Sequence, residues 1–308
     1  MNVILGSGIV GLLAKAILGD NWKVIPFYKS RFFSFNPALD DNFIIADPDI
    51  DSFIKDLMGS APAKFNYNRA WSIQGQLYPS FDEAICGDWL GNIFGQQVPS
   101  HAVAFNKDRM SFNVYDIRLN EIYKSLVSQY MPELAEESAK GLVTKISDHK
   151  IIRGNDILEY DQIVSTIPLN TLCDLMGYDA DLQSKPIHYI HIATKELDFE
   201  GYNQVMVADN SFGFFKAANI APGRFLIYCQ EEIPDPGAYF MAFMQNFDII
   251  DGTSIDNAIT LGDMPSLDAF EKQDIFCVGS YAQWDWCADV GSNIKRLVRF
   301  ANRGLKIK

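Results

Sequence analysis

Apolar and polar positions along the chain predict a mixed α/β protein. A short apolar run, Val3 to Leu5, leads through glycines into residues 12–17, whose apolar positions have helical spacing. Residues 23–28 read as the next strand, which completes the start of a βαβ unit. Residues 116–130 carry the apolar stripe of an amphipathic helix. The first half of the chain therefore predicts strands that alternate with helices.

Later stretches have the period of β-structure. Residues 141–165 predict a short meander leading into a strand, and residues 169–176 open a helix. Between residues 186 and 232, alternating apolar positions separated by Pro, Gly and Asn turns predict an antiparallel sheet. Residues 64–109 lose clear periodicity and predict short strands and a helix, 81–94, that breaks near Gly87. This composition suits an insertion that builds a substrate pocket or a structural cap.

A glycine motif follows the first predicted strand directly. Gly6 permits a tight turn, Gly8 lets the backbone approach a pyrophosphate, and Gly11 allows the helix to pack on the strand. The pyrophosphate would lie on free N–H groups at the positive end of the helix. The motif predicts a dinucleotide site formed by Gly6, Ser7, Gly8, Ile9, Val10 and Gly11.

The end of the second predicted strand departs from that fingerprint. An Asp or Glu is expected there to accept a hydrogen bond from the adenosine ribose, but the chain has Tyr28, Lys29, Ser30 and Arg31. A basic side chain here suits the 2′-phosphate of NADP or the pyrophosphate of FAD. Surface charge in an ordinary turn is the alternative. We assign these four residues to cofactor binding as an expectation.

Composition narrows the class of protein. The 308 residues carry a net charge of −13, which argues against binding of duplex nucleic acid or an anionic membrane. No apolar run is long enough to span a membrane, and the glycine motif begins too early for a signal peptide to precede it. The cysteines are odd in number, five, and lack a C-x-x-C spacing, which predicts reduced thiols and a cytoplasmic protein.

No metal site is expected from the sequence. His188 and His191 are three apart on a predicted strand, so they point to opposite faces and cannot share an ion. The expected ligands are a dinucleotide and a small-molecule substrate. The sequence gives no oligomeric state.

Two further segments carry a family resemblance. Tyr160-Asp-Gln-Ile-Val-Ser-Thr-Ile-Pro-Leu169, after the meander, and Gly279-Ser-Tyr-Ala-Gln-Trp284, followed by Asp289-Val-Gly291, resemble signatures of FAD-dependent amine oxidases, protoporphyrinogen oxidases and UDP-galactopyranose mutases. The resemblance implies FAD rather than NAD(P) as the cofactor. It implies that the Val143 backbone holds the adenine edge and that Thr166 lies beside the adenosine. It also implies that the FAD site is closed by Gly279, Ser280, Asp289, Val290 and Gly291.

The resemblance also predicts the fold. We expect an α/β protein with a discontinuous, Rossmann-like FAD-binding domain of the GR2 type, formed by residues 1–64, 110–185 and 262–308. A smaller antiparallel-sheet substrate domain would comprise residues 65–109 and 186–261.

The function that this fold implies is an amine-oxidase-like, FAD-dependent oxidoreductase. It would oxidise a C–N or C–C bond of a small substrate by hydride transfer to the flavin, which carries the difficult chemistry. The candidate catalytic residues are Lys216 as substrate anchor, with Tyr281 and Trp284 as ring-stacking walls. A lysine guarding an edge strand and a core tryptophan are the alternatives for Lys216 and Trp284.

Three other functions stay open. A flavin isomerase like UDP-galactopyranose mutase would need paired arginines for a diphosphate, and Arg69, Arg109, Arg118 and Arg224 are available. A flavin lyase or oxidase could act on an aminated nucleobase. A nucleotide-binding protein without catalysis would explain the missing acid after the second strand.

Overall fold

The computed structural model describes residues 1–27, 41, 43–209, 212–285 and 287–302. The strands are β1 (Asn2–Leu5), β2 (Trp22–Ile25), β3 (Lys64–Ile73), β4 (Gln76–Tyr78), β5 (Ser111–Tyr115), β6 (Val143–Ser147), β7 (Lys150–Arg153), β8 (Asp156–Glu159), β9 (Gln162–Ser165), β10 (Ser184–Thr194), β11 (Gln204–Val207), β12 (Phe214–Ala221), β13 (Arg224–Cys229), β14 (Phe247–Thr260) and β15 (Ile275–Cys277). The helices are α1 (Ile9–Leu18), α2 (Asp51–Met58), α3 (Glu83–Phe94), α4 (Ala102–Lys107), α5 (Leu119–Ala139), α6 (Leu169–Met176), α7 (Pro236–Met241), α8 (Asp268–Glu271), α9 (Ser280–Gln283) and α10 (Val290–Asn302).

A four-stranded parallel sheet, in the order β15-β9-β1-β2, holds the glycine motif. Side chains of β1 alternate between the two faces of this sheet. Ile4 packs with Leu12 of α1 and Ile294 of α10, whereas Val3 and Leu5 pack in a second cluster with residues of the β6–β8 meander and α6. All three β1 side chains are fully buried. This strand is therefore the centre of the domain.

A second, larger sheet has the order β14-β10-β13-β12-β11-β3-β4, and β5 pairs with β3. Most neighbours are antiparallel, but β11 and β3 are parallel. Trp89 and Leu90 of α3 pack in the cluster on one face, and Phe240 of α7 packs in the cluster on the other. Residues 64–78 and 184–260 thus contribute to one sheet.

Three elements differ from the sequence predictions. Helix α3 runs without a break through Gly87, because the Asp82 carboxylate caps its start and a buried row ending at Phe94 continues past the glycine. Helix α5 extends to Ala139 through Pro132, since Leu134 and Glu137 bury beyond the predicted end at residue 130. Strand β14, fourteen residues long, was not predicted.

All five cysteines are free and buried. Among the described residues, no helix combines the length and apolarity needed to cross a membrane.

Candidate functional site

The glycine turn after β1 is held by close backbone packing. Gly6 has a φ of +107°, and a Cβ there would lie 2.5 Å from the Thr166 hydroxyl oxygen. A Cβ on Gly11 would lie 2.2 Å from the Gly6 carbonyl oxygen. Both positions therefore require glycine for packing alone, as the motif predicts.

Gly8 is different, because no described atom lies within 4 Å of the position its Cβ would take. It is the N-cap of α1, where no described side chain caps the helix and no acidic residue lies in the first turn. Gly8 is exposed, and Ser7, Ile9 and Val10 are half-buried. Unpaired N–H groups and the helix dipole make this end of α1 a suitable anion site, so its geometry fits a pyrophosphate.

The predicted adenosine residues lie beside this turn. The Thr166 hydroxyl donates a hydrogen bond to the Leu5 carbonyl at 3.1 Å, so it ties β9 to the end of β1. Val143 begins β6 and is buried in the core. Their contacts with a cofactor stay predictions. Tyr28, Lys29, Ser30 and Arg31 lie outside the described residues.

The segment after β15 is anchored by Asn293, a residue that the sequence analysis missed. Its side-chain oxygen accepts hydrogen bonds from the Gly279 amide and from the Gln283 side chain, both at 2.9 Å. Its side-chain nitrogen donates to the Asp289 carbonyl at 2.8 Å. Asn293 therefore fixes both ends of the loop that connects β15 with α10. Only its position on the buried face of the helix marks it in the sequence.

Asp289 has two roles in this loop. One carboxylate oxygen accepts from the Ser292 amide at 3.0 Å and so caps α10. The other forms an ion pair with Arg109 at 3.0 Å. Gly291 is packed beneath it, since a Cβ there would lie 3.0 Å from the Asp289 carboxylate, and Val290 is buried in the core.

A cavity of about 210 Å³ lies between this loop and the larger sheet. Ser280, Tyr281 and Asp289 line it from the loop, and Lys216 and Tyr228 line it from the sheet. The apolar part of its wall is largely aromatic and includes Trp89, Phe105 and Phe215. Residues predicted to touch the cofactor and a residue predicted to touch substrate therefore meet at one cavity.

A buried carboxylate, Asp41, organises the sheet side of the cavity. It accepts hydrogen bonds from Lys216 at 2.8 Å, from Gln204 and Tyr67 at 3.2 Å, and from the Tyr228 hydroxyl. Burial, with the Asp41 charge, raises the pKa of both tyrosines well above the usual range. Burial lowers the pKa of Lys216, and Asp41 opposes that shift. The ammonium group of Lys216 also lies 3.6 Å from the centre of the Tyr228 ring.

The predicted catalytic residues divide between cavity and core. Lys216 and Tyr281 line the cavity, and burial raises the pKa of the Tyr281 hydroxyl to about 12. Trp284 does not line it. Its side chain is 1% exposed in the core of the parallel-sheet domain, and its indole N–H donates to the Leu261 carbonyl at 3.2 Å. Core packing occupies the Trp284 ring in this structure, and its role as a wall of the substrate site stays a prediction.

One group of described residues has the spacing of metal ligands: His101, Asp285 and Cys287 lie with their ligand atoms within 4.8 Å of one another. The His101 ring contacts the Asp285 carboxylate at 3.0 Å, which accounts for two of the three. Burial raises the pKa of the Cys287 thiol to about 12 and so disfavours the thiolate that a metal would bind. The group is therefore a hydrogen-bonded His–Asp pair beside a buried thiol.

Comparison with known proteins shows similarity in structure but not in sequence. No protein-family model and no curated protein matches the chain. A reduced UDP-galactopyranose mutase superposes with a TM-score of 0.65 at 13% identity, covering 99% of this chain and 94% of that chain. Cyclohexylamine oxidase from Brevibacterium oxydans gives 0.61 at 11%, with coverages of 98% and 97%. A fatty acid isomerase from P. acnes gives 0.52 at 13%, with coverages of 99% and 98%.

These similarities confirm the predicted fold class, an α/β protein with a Rossmann-like parallel sheet joined to a mainly antiparallel sheet. They also confirm, at the level of fold, the resemblance to mutases and amine oxidases. A mutase, an oxidase and an isomerase share this architecture at low identity, so the fold alone does not select a reaction. The exact domain boundaries stay a prediction.

Proposed function

We propose that the protein is an FAD-dependent, amine-oxidase-like oxidoreductase that oxidises a C–N or C–C bond of a small substrate. The observation that carries the proposal is the shared cavity, where the loop of Ser280 and Asp289 faces Lys216 on the larger sheet. A cofactor held by the first group would lie against a substrate held by the second. Flavin, when bound, supplies the hydride acceptor for this chemistry.

The glycine turn supports a dinucleotide cofactor. The open position at Gly8 and the uncapped start of α1 offer backbone donors to a pyrophosphate. Thr166 and Val143 would lie along the adenosine, and Gly279 and Asp289 would close the site over the ring. The Asn293 side chain holds those last two residues in place.

The protein's own groups position substrate and exclude water. Lys216 presents a cation to the cavity while Asp41 orients it, and the aromatic wall excludes water from the reacting bond. Burial raises the pKa of Tyr281 to about 12, so its hydroxyl keeps its proton at neutral pH and can serve as a neutral hydrogen-bonding group or as part of the aromatic wall. No side-chain base is required for hydride transfer.

A mutase-like isomerase is the second candidate. Arg69 and Arg109 both line the cavity, whereas Arg118 and Arg224 are exposed. Two arginines at one cavity would suit a diphosphate. The cavity volume of about 210 Å³ is below the roughly 300–1,000 Å³ of typical ligand sites, which favours a smaller substrate than a nucleotide sugar.

The absorbance of purified protein tests the proposal. A flavoprotein is yellow, with a band near ~450 nm, and anaerobic bleaching of that band by amines would support the oxidase. Activity only after chemical reduction, with no net redox change, would instead identify the isomerase. Colourless protein that cannot be reconstituted with FAD would exclude the oxidase and the isomerase. The remaining candidate would then be a nucleotide-binding protein without catalysis. If an aminated nucleobase bleaches the flavin band, the result would support the flavin lyase or oxidase that acts on such bases.

A further inference from the structure

The charges that line the cavity do not balance. Among the described residues, five charged side chains reach it: Asp41, Arg69, Arg109, Lys216 and Asp289. Lys216 pairs with Asp41 at 2.8 Å, and Arg109 pairs with Asp289 at 3.0 Å. Within the described part of the chain, no carboxylate oxygen lies within the 4.0 Å limit of an ion pair from Arg69. The described side chains that line the cavity therefore carry one surplus positive charge.

Arg69 is held by aromatic rings rather than by hydrogen-bond acceptors. Its guanidinium lies 5.8 Å from the Phe43 ring centre and 5.5 Å from that of Phe112. The Arg109 guanidinium lies 5.6 Å from the same Phe112 ring, so both arginines share it. Aromatic faces attract cations but accept no N–H hydrogen bonds of normal strength. The Arg69 Nε is buried without a hydrogen-bond partner in the described structure.

An arginine in this position calls for an external oxyanion. Burial lowers the pKa of Arg69, yet a guanidinium keeps its proton in proteins. Its fork of donors matches the two oxygens of a carboxylate or phosphate. With about 30 Å³ for each water, a cavity of about 210 Å³ holds roughly seven waters, which is room for a small molecule. The aromatic wall suits an apolar remainder.

We propose that Arg69 binds the carboxylate of the substrate, so that the substrate class is small carboxylic acids with an apolar or aromatic body. The inference rests on the proposed function, which it deepens by naming the substrate class. Arg109, already paired with Asp289, lies close enough to share the Phe112 ring and adds positive potential. Arg69 is thereby distinguished from Lys216, whose charge Asp41 already balances.

Binding of benzoate, measured by titration calorimetry on the purified full chain, tests this assignment. Benzamide serves as the neutral analogue and inorganic phosphate as the other oxyanion. We expect benzoate to bind more tightly than benzamide, and Arg69→Gln to raise the benzoate Kd by roughly 10- to 100-fold, as expected for loss of a charge-assisted pair. Benzamide affinity should not change. Arg69→Lys, which keeps the charge but loses the fork, should give an intermediate Kd.

The matched control is Arg224→Gln, an exposed arginine on β13 of the same sheet, which should leave the benzoate Kd unchanged. Equal benzoate affinity in wild type and Arg69→Gln, or no benzoate binding at all, would overturn the proposal. Phosphate that binds more tightly than benzoate through Arg69 would overturn the carboxylate assignment. If Arg69→Gln fails to fold, an unchanged Kd in Arg69→Lys is the contradicting result. Flavin absorbance is recorded separately from benzoate binding. Colourless protein that still binds benzoate through Arg69 would therefore refute the proposed FAD-dependent function but not carboxylate binding by Arg69.

Discussion

The amide of Gly279 donates a hydrogen bond to the side chain of Asn293 at 2.9 Å, across the loop that separates β15 from α10. Asn293 is 3% exposed, and the same side chain donates to the carbonyl of Asp289. Gly279 has a φ of +116°, a backbone conformation that few other residues adopt. One amide side chain thus holds both ends of the segment that faces the cavity.

Replacing this side chain should loosen the loop. Asn293→Ala leaves the Gly279 amide without its partner and removes one hydrogen bond each from the Gln283 side chain and the Asp289 carbonyl, so we expect a loss of about 2 kcal/mol in the free energy of unfolding, measured in urea. Flavin content should fall in the same variant. Asn302→Ala, at an exposed position of the same helix, is the control and should change neither quantity. An unaltered flavin content in Asn293→Ala would argue against a role of this loop in holding the ring.

The two glycines at the start of α1 should respond differently to substitution. Gly8→Val meets open space among the described atoms, so in flavin-free protein the free energy of unfolding should fall by only about 1 kcal/mol, the cost of a poorer N-cap, while flavin binding is lost. Gly11→Val places a Cβ 2.2 Å from the Gly6 carbonyl oxygen and should cost about 3 kcal/mol or more. Urea denaturation and the ratio of absorbance at ~450 nm to that of the protein measure both effects. A Gly8→Val protein with full flavin content would refute the placement of the pyrophosphate.

Removing the charge of Lys216 should destabilise the protein more than removing the charge of Asp41, although the two groups form one ion pair. Lys216→Met removes the cation from a carboxylate whose side chain is 4% exposed, and we expect a loss of about 3 kcal/mol in unfolding free energy. Asp41→Asn should cost less, because the Lys216 side chain is 21% exposed and can reach water in the cavity. The double variant should be more stable than Lys216→Met alone, which a double-mutant cycle measures. Additive effects of the two substitutions would show that the pair is not coupled.

A buried ion pair far from the cavity predicts a pH dependence of stability. Burial alone would raise the pKa of Glu137, but hydrogen bonds from Lys140, Lys23 and Arg153 lower it from 4.5 to about 2. A lowered folded-state pKa means that the stabilisation is complete above pH 4.5 and is lost as the pH falls towards 2. At roughly 1.36 kcal/mol per pH unit, it amounts to about 3 kcal/mol at neutral pH.

Urea denaturation of Glu137→Gln across pH 3 to 7 checks this expectation. The stability difference between wild type and variant should be largest at neutral pH and should shrink below pH 4.5. Glu121→Gln is the matched control on the same helix, because the Glu121 pair with Arg118 is exposed on both sides and 3.7 Å long. A difference that stays constant with pH would show that folding does not lower the pKa of Glu137.

The glycine turn and its surroundings could be predicted because their requirements are local. The order of β1, three glycines and α1 requires a backbone geometry that few residues permit, and the sequence shows it directly. Thr166 and Asp289 are assigned through the family resemblance alone, because a strand-end hydroxyl and a loop carboxylate have no distinguishing local pattern, and their contacts with a cofactor stay predictions. Trp284 lies in the same loop but packs inward, in a buried cluster that includes Val3 of β1 and Ile163 of β9, which are distant in sequence.

Asp41 shows why the sheet side of the cavity could not be predicted. It lies in a segment with no helix or strand period, and its partners Tyr67, Gln204, Lys216 and Tyr228 come from four different strands. In the sequence alone, each of these partners has the pattern of an ordinary sheet residue. Only the pairing of β3 with β11, which is parallel and therefore not a hairpin, brings them around one carboxylate. The same pairing of β3 with β11 brings Arg69, which lies on β3, to the cavity.

The strand order of the parallel sheet has a consequence for how the chain folds during synthesis. β1 lies between β2 and β9, β15 lies beyond β9, and α1 packs against α10. At about 5–20 residues per second, the ribosome needs on the order of ten to fifty seconds to reach α10 after it has made α1. For that interval α1 lacks the cover that α10 finally provides. Helix α1 is thus translated well before the helix that completes its native environment.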